Sequence, residues 1–267
     1  MLLAGAASAA AEKRLALVIG NDLYQQVPAL SKAVTDANAI ASGLRKLDFT
    51  VTVAENQSRA AMSQALLAFD SSVTSGDTVF FFFAGHGFEI RGTNYLLPTD
   101  VPAALEGQEE LVRDASFAVD RIIDRLQARG ARTLVMVLDA CRNNPFARPG
   151  TRAVGGEGGL AAITPPEGVF ILFSAGAKQT ALDATSANDP DPNSVFTRNF
   201  VRELAQPNLT LVQLAKRTQA EVRGLASSVR HDQTPAYYDE IVGDFVLNTR
   251  EGGPIEPRTA VALNVPR

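Results

Sequence analysis

The chain has 267 residues, of which 46% are hydrophobic and 20% charged, with a formal net charge of −4 and a pI near 5.3. That length buries one large core or two small ones, and with no Lys/Arg run long enough to follow a phosphate backbone it argues against nucleic acid as a partner. The single cysteine, Cys141, excludes an internal disulfide and a cysteine-rich metal cluster, leaving a buried structural thiol or a reactive one.

Residues 1–11, MLLAGAASAAA, are small and apolar and end in sequences that suit a signal peptidase, but they lack a charged start. We read residues 1–12 as a leader remnant, with export to a bacterial periplasm or beyond as the expected destination and the cytoplasm as the alternative. No apolar run approaches the ~20 residues of a membrane span.

The run Leu15 to Ile19, closed by Gly20-Asn21-Asp22, reads as a strand buried on both faces. In Ala33 to Leu47 the apolar residues Ala33, Ala37, Ile40, Leu44 and Leu47 recur at the helical period, and Phe49 to Val53 returns to strand composition. The alternation continues with a helix over Ala60 to Val73, a strand over Thr78 to Phe83, a helix over Val119 to Ala128 and a strand over Thr133 to Leu138. Such repetition predicts a mostly parallel sheet with helices on both faces. The turn signal Arg91-Gly92-Thr93-Asn94 inside Phe88 to Leu97 predicts a β-hairpin at the sheet's carboxyl edge.

Asn143 to Gly168 is rich in Gly, Pro and Arg without a hydrophobic period and reads as a long mobile loop. A fifth strand over Val169 to Phe173, a polar loop over Asp183 to Asn193, helices over Val195 to Leu204 and Leu211 to Leu225, and an apolar segment at Phe245 to Leu247 follow. Residues 249–267, with three prolines, read as a tail or linker stub.

In open parallel sheets ligands bind beyond the carboxyl ends of the strands. One strand there runs into Ala84-Gly85-His86-Gly87 and another into Asp139-Ala140-Cys141-Arg142. A thiolate needs a neighbouring base, and an imidazole can take the proton and later return it to a leaving amine. The amides of Gly87 and Cys141 are candidates for an oxyanion hole. Taken singly, Cys141 reads as an inert small hydrophobe and His86 as a satisfied polar residue. Taken together, with glycine on both sides of His86 and an acid two residues before Cys141, they favour catalysis.

These residues resemble the caspase-like cysteine peptidases, and within them the bacterial metacaspase-like branch called orthocaspases. The order is the same, the His86 to Cys141 interval of 55 residues is close to the ~50 of caspases, and Asp139-Ala140-Cys141-Arg142 carries Asp where animal caspases carry Gln. The likeness extends over Leu17 to Asn21, Leu30 to Asp48, Phe173 to Gly176, Ser194 to Thr197 and Gln233 to Pro235. It implies a caspase-hemoglobinase fold of the α/β class, with about six strands in a mostly parallel sheet, over residues 13–248: a large-segment-like part 13–147, a flexible loop 148–168 and a small-segment-like part 169–248.

The resemblance also implies that Asp36 and Asp139 line an S1 pocket selecting Arg or Lys, a choice consistent with carboxylates accepting a guanidinium fork. Without the resemblance, Asp36 reads equally as a solvated helix residue and Asp139 as a strand-end cap. Arg148 and Arg152 lie where such enzymes cut themselves. The expected partners are protein or peptide substrates, the expected state is a monomer, and no cofactor or metal is called for. Calcium activation, common among metacaspases, has no residue-level match: Asp183, Asp189 and Asp191 read as a solvated loop. His231 reads as a surface or loop residue. The sequence Asn143-Asn144-Pro145-Phe146 after Arg142 departs from the His-Ser-Gly often seen in the family. The competing classes are a catalytically silent caspase-fold scaffold and a flavodoxin-like nucleotide binder; the latter lacks a phosphate loop after the first strand.

Overall fold

The computed structural model describes residues 12–105, 107–141 (Cys141 by its backbone alone), 160–177 and 179–249. In chain order the elements are β1 (Arg14–Gly20), α1 (Ala33–Arg45), β2 (Thr50–Glu55), α2 (Arg59–Ser72), β3 (Thr78–Ile90), β4 (Thr93–Leu96) and α3 (Glu109–Ala115). Then come β5 (Phe117–Ala118), α4 (Val119–Ala128), β6 (Thr133–Cys141), β7 (Val169–Phe173), α5 (Val195–Leu204), α6 (Leu211–Ser228) and β8 (Ala236–Asp239).

The spine of the sheet has the order β2-β1-β3-β6-β7-β8, parallel except for β8, which runs antiparallel to β7. The six-strand expectation describes this spine. Two further short strands branch from it, β4 antiparallel to the end of β3 and β5 antiparallel to β4, so the sheet counts 8 strands.

Phe80 to Phe83 forms an uninterrupted apolar run because both faces of β3 are covered. Phe80 and Phe82 meet Ile40 and Leu44 of α1, Phe200 of α5 and Val222 of α6 on one face. Phe81 and Phe83 meet Met62 and Phe69 of α2 and Ile123 and Leu126 of α4 on the other. Each buried phenylalanine contributes about 2–3 kcal/mol of transfer free energy.

Two local devices bring α1 to the sheet's carboxyl edge. Gly20 is required because a Cβ there would lie 2.5 Å from the Ala33 carbonyl oxygen. The carboxylate of Asp22 then accepts the free amides at the start of α1, Ala33 N–H at 2.8 Å and Val34 N–H at 3.0 Å, a cap favoured by the helix dipole. The hairpin predicted at Arg91-Gly92 is present: with φ of 51° and 84°, the two residues form the tight turn that suits strand twist.

Three elements were not legible in the sequence: α3, β5 and β8 are short, α3 largely exposed and the two strands partly so, without a periodic apolar stripe. Of the predicted loop Asn143–Gly168, residues 142–159 lie outside the described residues. Its last part is not loose: Leu160 is buried in the core, and the Asn94 side chain accepts from Ala161 N–H (2.6 Å) and donates to Ala161 O (3.0 Å). The polar loop 183–193 is likewise not simply solvated. Arg198 holds Asp189 through two hydrogen bonds of 3.2 and 2.8 Å and also donates to the carbonyls of Asn193 and Ser194.

One arginine fastens the beginning of the domain to its end. Arg14 on β1 donates to Leu47 O and Leu247 O, both at 2.7 Å, and its guanidinium lies 4.8 Å from the Phe49 ring centre. Replacing Arg14 by Leu deprives two carbonyls of a charged donor. Urea unfolding is expected to show a loss of about 2 kcal/mol with an unchanged slope; an unaltered midpoint would show the clasp to be incidental.

Candidate active site

The β3–β6 register puts Ala84 opposite Asp139 and His86 opposite Cys141. Neighbouring strands lie about 4.8 Å apart, so the histidine and the cysteine backbone adjoin across the sheet edge. The Cys141 side chain is outside the described residues.

His86 is buried, and its ring is fixed from two sides. Nε2 lies 2.7 Å from the Pro28 carbonyl oxygen, which can only accept, so Nε2 carries the proton and Nδ1 is the basic nitrogen. Nδ1 has no hydrogen-bond partner among the described residues. Tyr24 packs at a ring separation of 4.5 Å. Burial lowers the His86 pKa and so favours the neutral ring that a base needs, and the Pro28 bond partly offsets it.

Tyr24 also replaces a rung of the ladder. Leu97 N–H donates to His86 O at 3.0 Å, but the reciprocal bond is absent; the Tyr24 hydroxyl sits between, accepting from His86 N–H at 2.8 Å and donating to Leu97 O at 3.2 Å. This insertion requires Gly85, where a Cβ would lie 2.6 Å from Tyr24 Oη. Since 86 and 97 occupy a hydrogen-bonded position, antiparallel alternation turns the Gly87 N–H away from β4. Gly87 is as crowded, with a Cβ there 2.9 Å from Ala140 Cβ.

The two acids singled out in the sequence do meet. Asp36 lies on α1, Asp139 on β6, and both are buried. The start of α5 grips them together: Ser194 N–H and Asn193 Nδ2 donate to Asp36 Oδ1, each at 2.9 Å, while Ser194 Oγ at 2.6 Å and Thr197 Oγ1 at 2.9 Å donate to Asp139 Oδ2. Ser194 Oγ caps the same helix by accepting from Thr197 N–H. Lys32 secures the approach to α5 by donating to the carbonyls of Asp191 and Asn193.

Burial and then the proximity of Asp139 push the Asp36 carboxyl up to about 8. Asp139 is raised by burial too, with the Ser194 and Thr197 hydroxyls opposing and Asp183 adding to the rise. An empty pair therefore retains a proton near neutral pH.

The caspase-domain model of the C14 peptidases matches residues 13–246. The chain belongs to this family. This caspase domain is 30% identical over 136 residues to the human mucosa-associated lymphoid tissue lymphoma translocation protein 1, covering 49% of the chain and 15% of that protein. The mouse homolog is 29% identical over 132 residues, with the same shares of 49% and 15%. The caspase domain thus spans about 15% of the length of these relatives.

The remaining candidates fall elsewhere. Arg148 and Arg152 lie outside the described residues. His231 binds the carbonyl of Thr180 at 2.7 Å, in a loop away from His86. Asp189 accepts from Arg198 and Thr185, and Asp191 accepts from Asn193 N–H. Among the described residues no helix is long and apolar enough to cross a membrane. Tyr24, Pro28 and Lys32 were missed by sequence reasoning, having no motif of their own. Ser194, three residues before Thr197, carried the signal of a helix cap.

Two measurements check the electrostatics. In a Cys141→Ala chain, ¹H–¹⁵N spectra should show His86 protonated at Nε2 and titrating below the ordinary value of about 6.5; an Nδ1–H tautomer would contradict the Pro28 bond. A raised carboxyl pKa favours folding below the unfolded value and loses that contribution as pH rises towards about 8. Asp36→Asn should therefore gain thermal stability over the parent increasingly between pH 5 and 8 (about the window set by a normal and a raised carboxyl), and a constant difference would rule out a proton held there.

Proposed function

We propose that this caspase domain is an endopeptidase that cuts after Arg or Lys, with Cys141 as nucleophile and His86 as its base. The reading is supported chiefly by the buried pair Asp36 and Asp139, of which Asp36 lies on α1 and Asp139 two residues before Cys141 on β6. Their described hydrogen bonds fall on Oδ1 of Asp36 and Oδ2 of Asp139, and the other oxygens suit a guanidinium fork.

In the proposed cycle His86 Nδ1 takes the Cys141 proton and the thiolate attacks the carbonyl carbon. The Gly87 and Cys141 amides receive the oxyanion, and His86 returns the proton to the departing amine. Water, deprotonated by His86, then cleaves the thioester and regenerates the thiol. No metal or cofactor takes part, and the enzyme works as a monomer in the periplasm or outside the cell. Arg148 and Arg152, in the stretch after Cys141, are the proposed self-processing sites. The dyad positions are filled, which favours this reading over a silent scaffold.

Peptides ending in Arg, Lys or Asp before a fluorogenic group, assayed beside Cys141→Ala, test the proposal. Cleavage after Arg and Lys is expected, with KM falling by up to about tenfold per pH unit below the pair's titration as an entering cation displaces one proton. Cleavage only after Asp would overturn the pocket, and no turnover by any protein form would favour the scaffold. Intact masses of the same two proteins check self-processing: equal, uncut masses would count against it.

A further inference from the structure

Away from this site, on the face covered by α2 and α4, lies a cavity of about 680 Å³ that none of this chemistry uses. Four arginines from three helices converge on it: Arg59 from the first turn of α2, Arg113 from the last turn of α3, and Arg121 and Arg125 from successive turns of α4. Against them its walls carry one carboxylate, Asp114; the acids of α4, Asp120 and Asp124, are not among the lining residues. In a chain of net charge −4 this is a local reversal of sign.

The four guanidiniums are not equally engaged. Arg125 is tied to the buried Asp70, and Arg113 pairs with the exposed Glu110 and Asp114. Exposed pairs of that kind contribute little and exchange readily. Arg59 uses only Nε, donating to the Asp114 backbone carbonyl at 3.0 Å, so its position is fixed while both Nη groups remain without a partner among the described residues. Arg121 makes no hydrogen bond or ion pair among them. Two positive charges thus stand uncompensated at the mouth, one of them held in place, which lowers the ordering cost of binding an anion.

The walls between the arginines are apolar, formed by Leu66, Phe117 and Ile122. A cavity of this size, rather than a track, with Tyr95 buried and Phe117 partly buried in its wall, does not suit a nucleic-acid strand. It suits one apolar side chain flanked by carboxylates. We propose that this cavity docks an acidic peptide segment of a partner protein, with an aliphatic residue in the apolar centre and Asp or Glu on either side engaging Arg59 and Arg121.

Fluorescein-labelled Asp-Glu-Leu-Asp-Glu, which has no basic residue for the proposed S1 pocket, is the probe, titrated into the full chain by anisotropy. Saturable binding is expected. It should weaken at least tenfold in Arg59→Glu/Arg121→Glu, less in Arg59→Gln/Arg121→Gln, and stay within twofold in Arg202→Glu/Arg223→Glu on the opposite face, with all variants melting like the parent. Replacing the central Leu of the probe by Gln should weaken it as well. Absence of saturable binding, equal affinity in the Arg59/Arg121 variants that melt normally, indifference to the Leu, or tighter binding of an oligothymidine would each overturn the proposal. Peptidase activity plays no part in the readout, so its presence or absence leaves the outcome unchanged.

Discussion

The arrangement of the candidate site depends on one register, that between β3 and β6. With Ala84 opposite Asp139, the next position of the same parity brings His86 opposite Cys141. A slip by one residue would turn each side chain to the other face and carry Asp139 away from Asp36 on α1. The register is held by the phenylalanine run of β3, whose alternate rings belong to two different cores. The apolar packing of the sheet's middle thus governs the polar chemistry at its edge.

Burying two carboxylates side by side is costly unless hydrogen bonds replace the lost water. The start of α5 meets that need with Ser194, whose amide and hydroxyl reach different acids while the hydroxyl also caps the helix. Lys32 and Arg198 hold the backbone that leads there. The donors are sufficient to keep the pair in place but leave its charge unbalanced, as the raised Asp36 pKa records. A cationic ligand would complete the arrangement, which links the energetics of the fold to the proposed selectivity.

His86 is governed by a second, smaller assembly. Pro28 selects its tautomer and the Tyr24 hydroxyl occupies a missing rung of the hairpin ladder. The glycines flanking His86 are needed for close approach, Gly85 to Tyr24 and Gly87 to Ala140. The Leu160–Ala161 strap, pinned by Asn94, closes the same neighbourhood from the core side.

The alternation of apolar runs and helical stripes was enough to determine the order of the main strands and helices, the hairpin at Arg91-Gly92 and the placing of His86 and Cys141 towards the sheet's carboxyl edge. These properties are local: period and turn chemistry report which face of a segment is buried. The short elements α3, β5 and β8 escaped because two to seven residues, few of them buried, carry no period. Only the tertiary structure decided the protonated nitrogen of His86, the role of Tyr24, the shared donors of Asp36 and Asp139, and the ion pair that removes Asp189 from solvent. The first three of those choices rest on partners 58, 62 and 158 residues apart, brought together by packing rather than by any pattern along the chain.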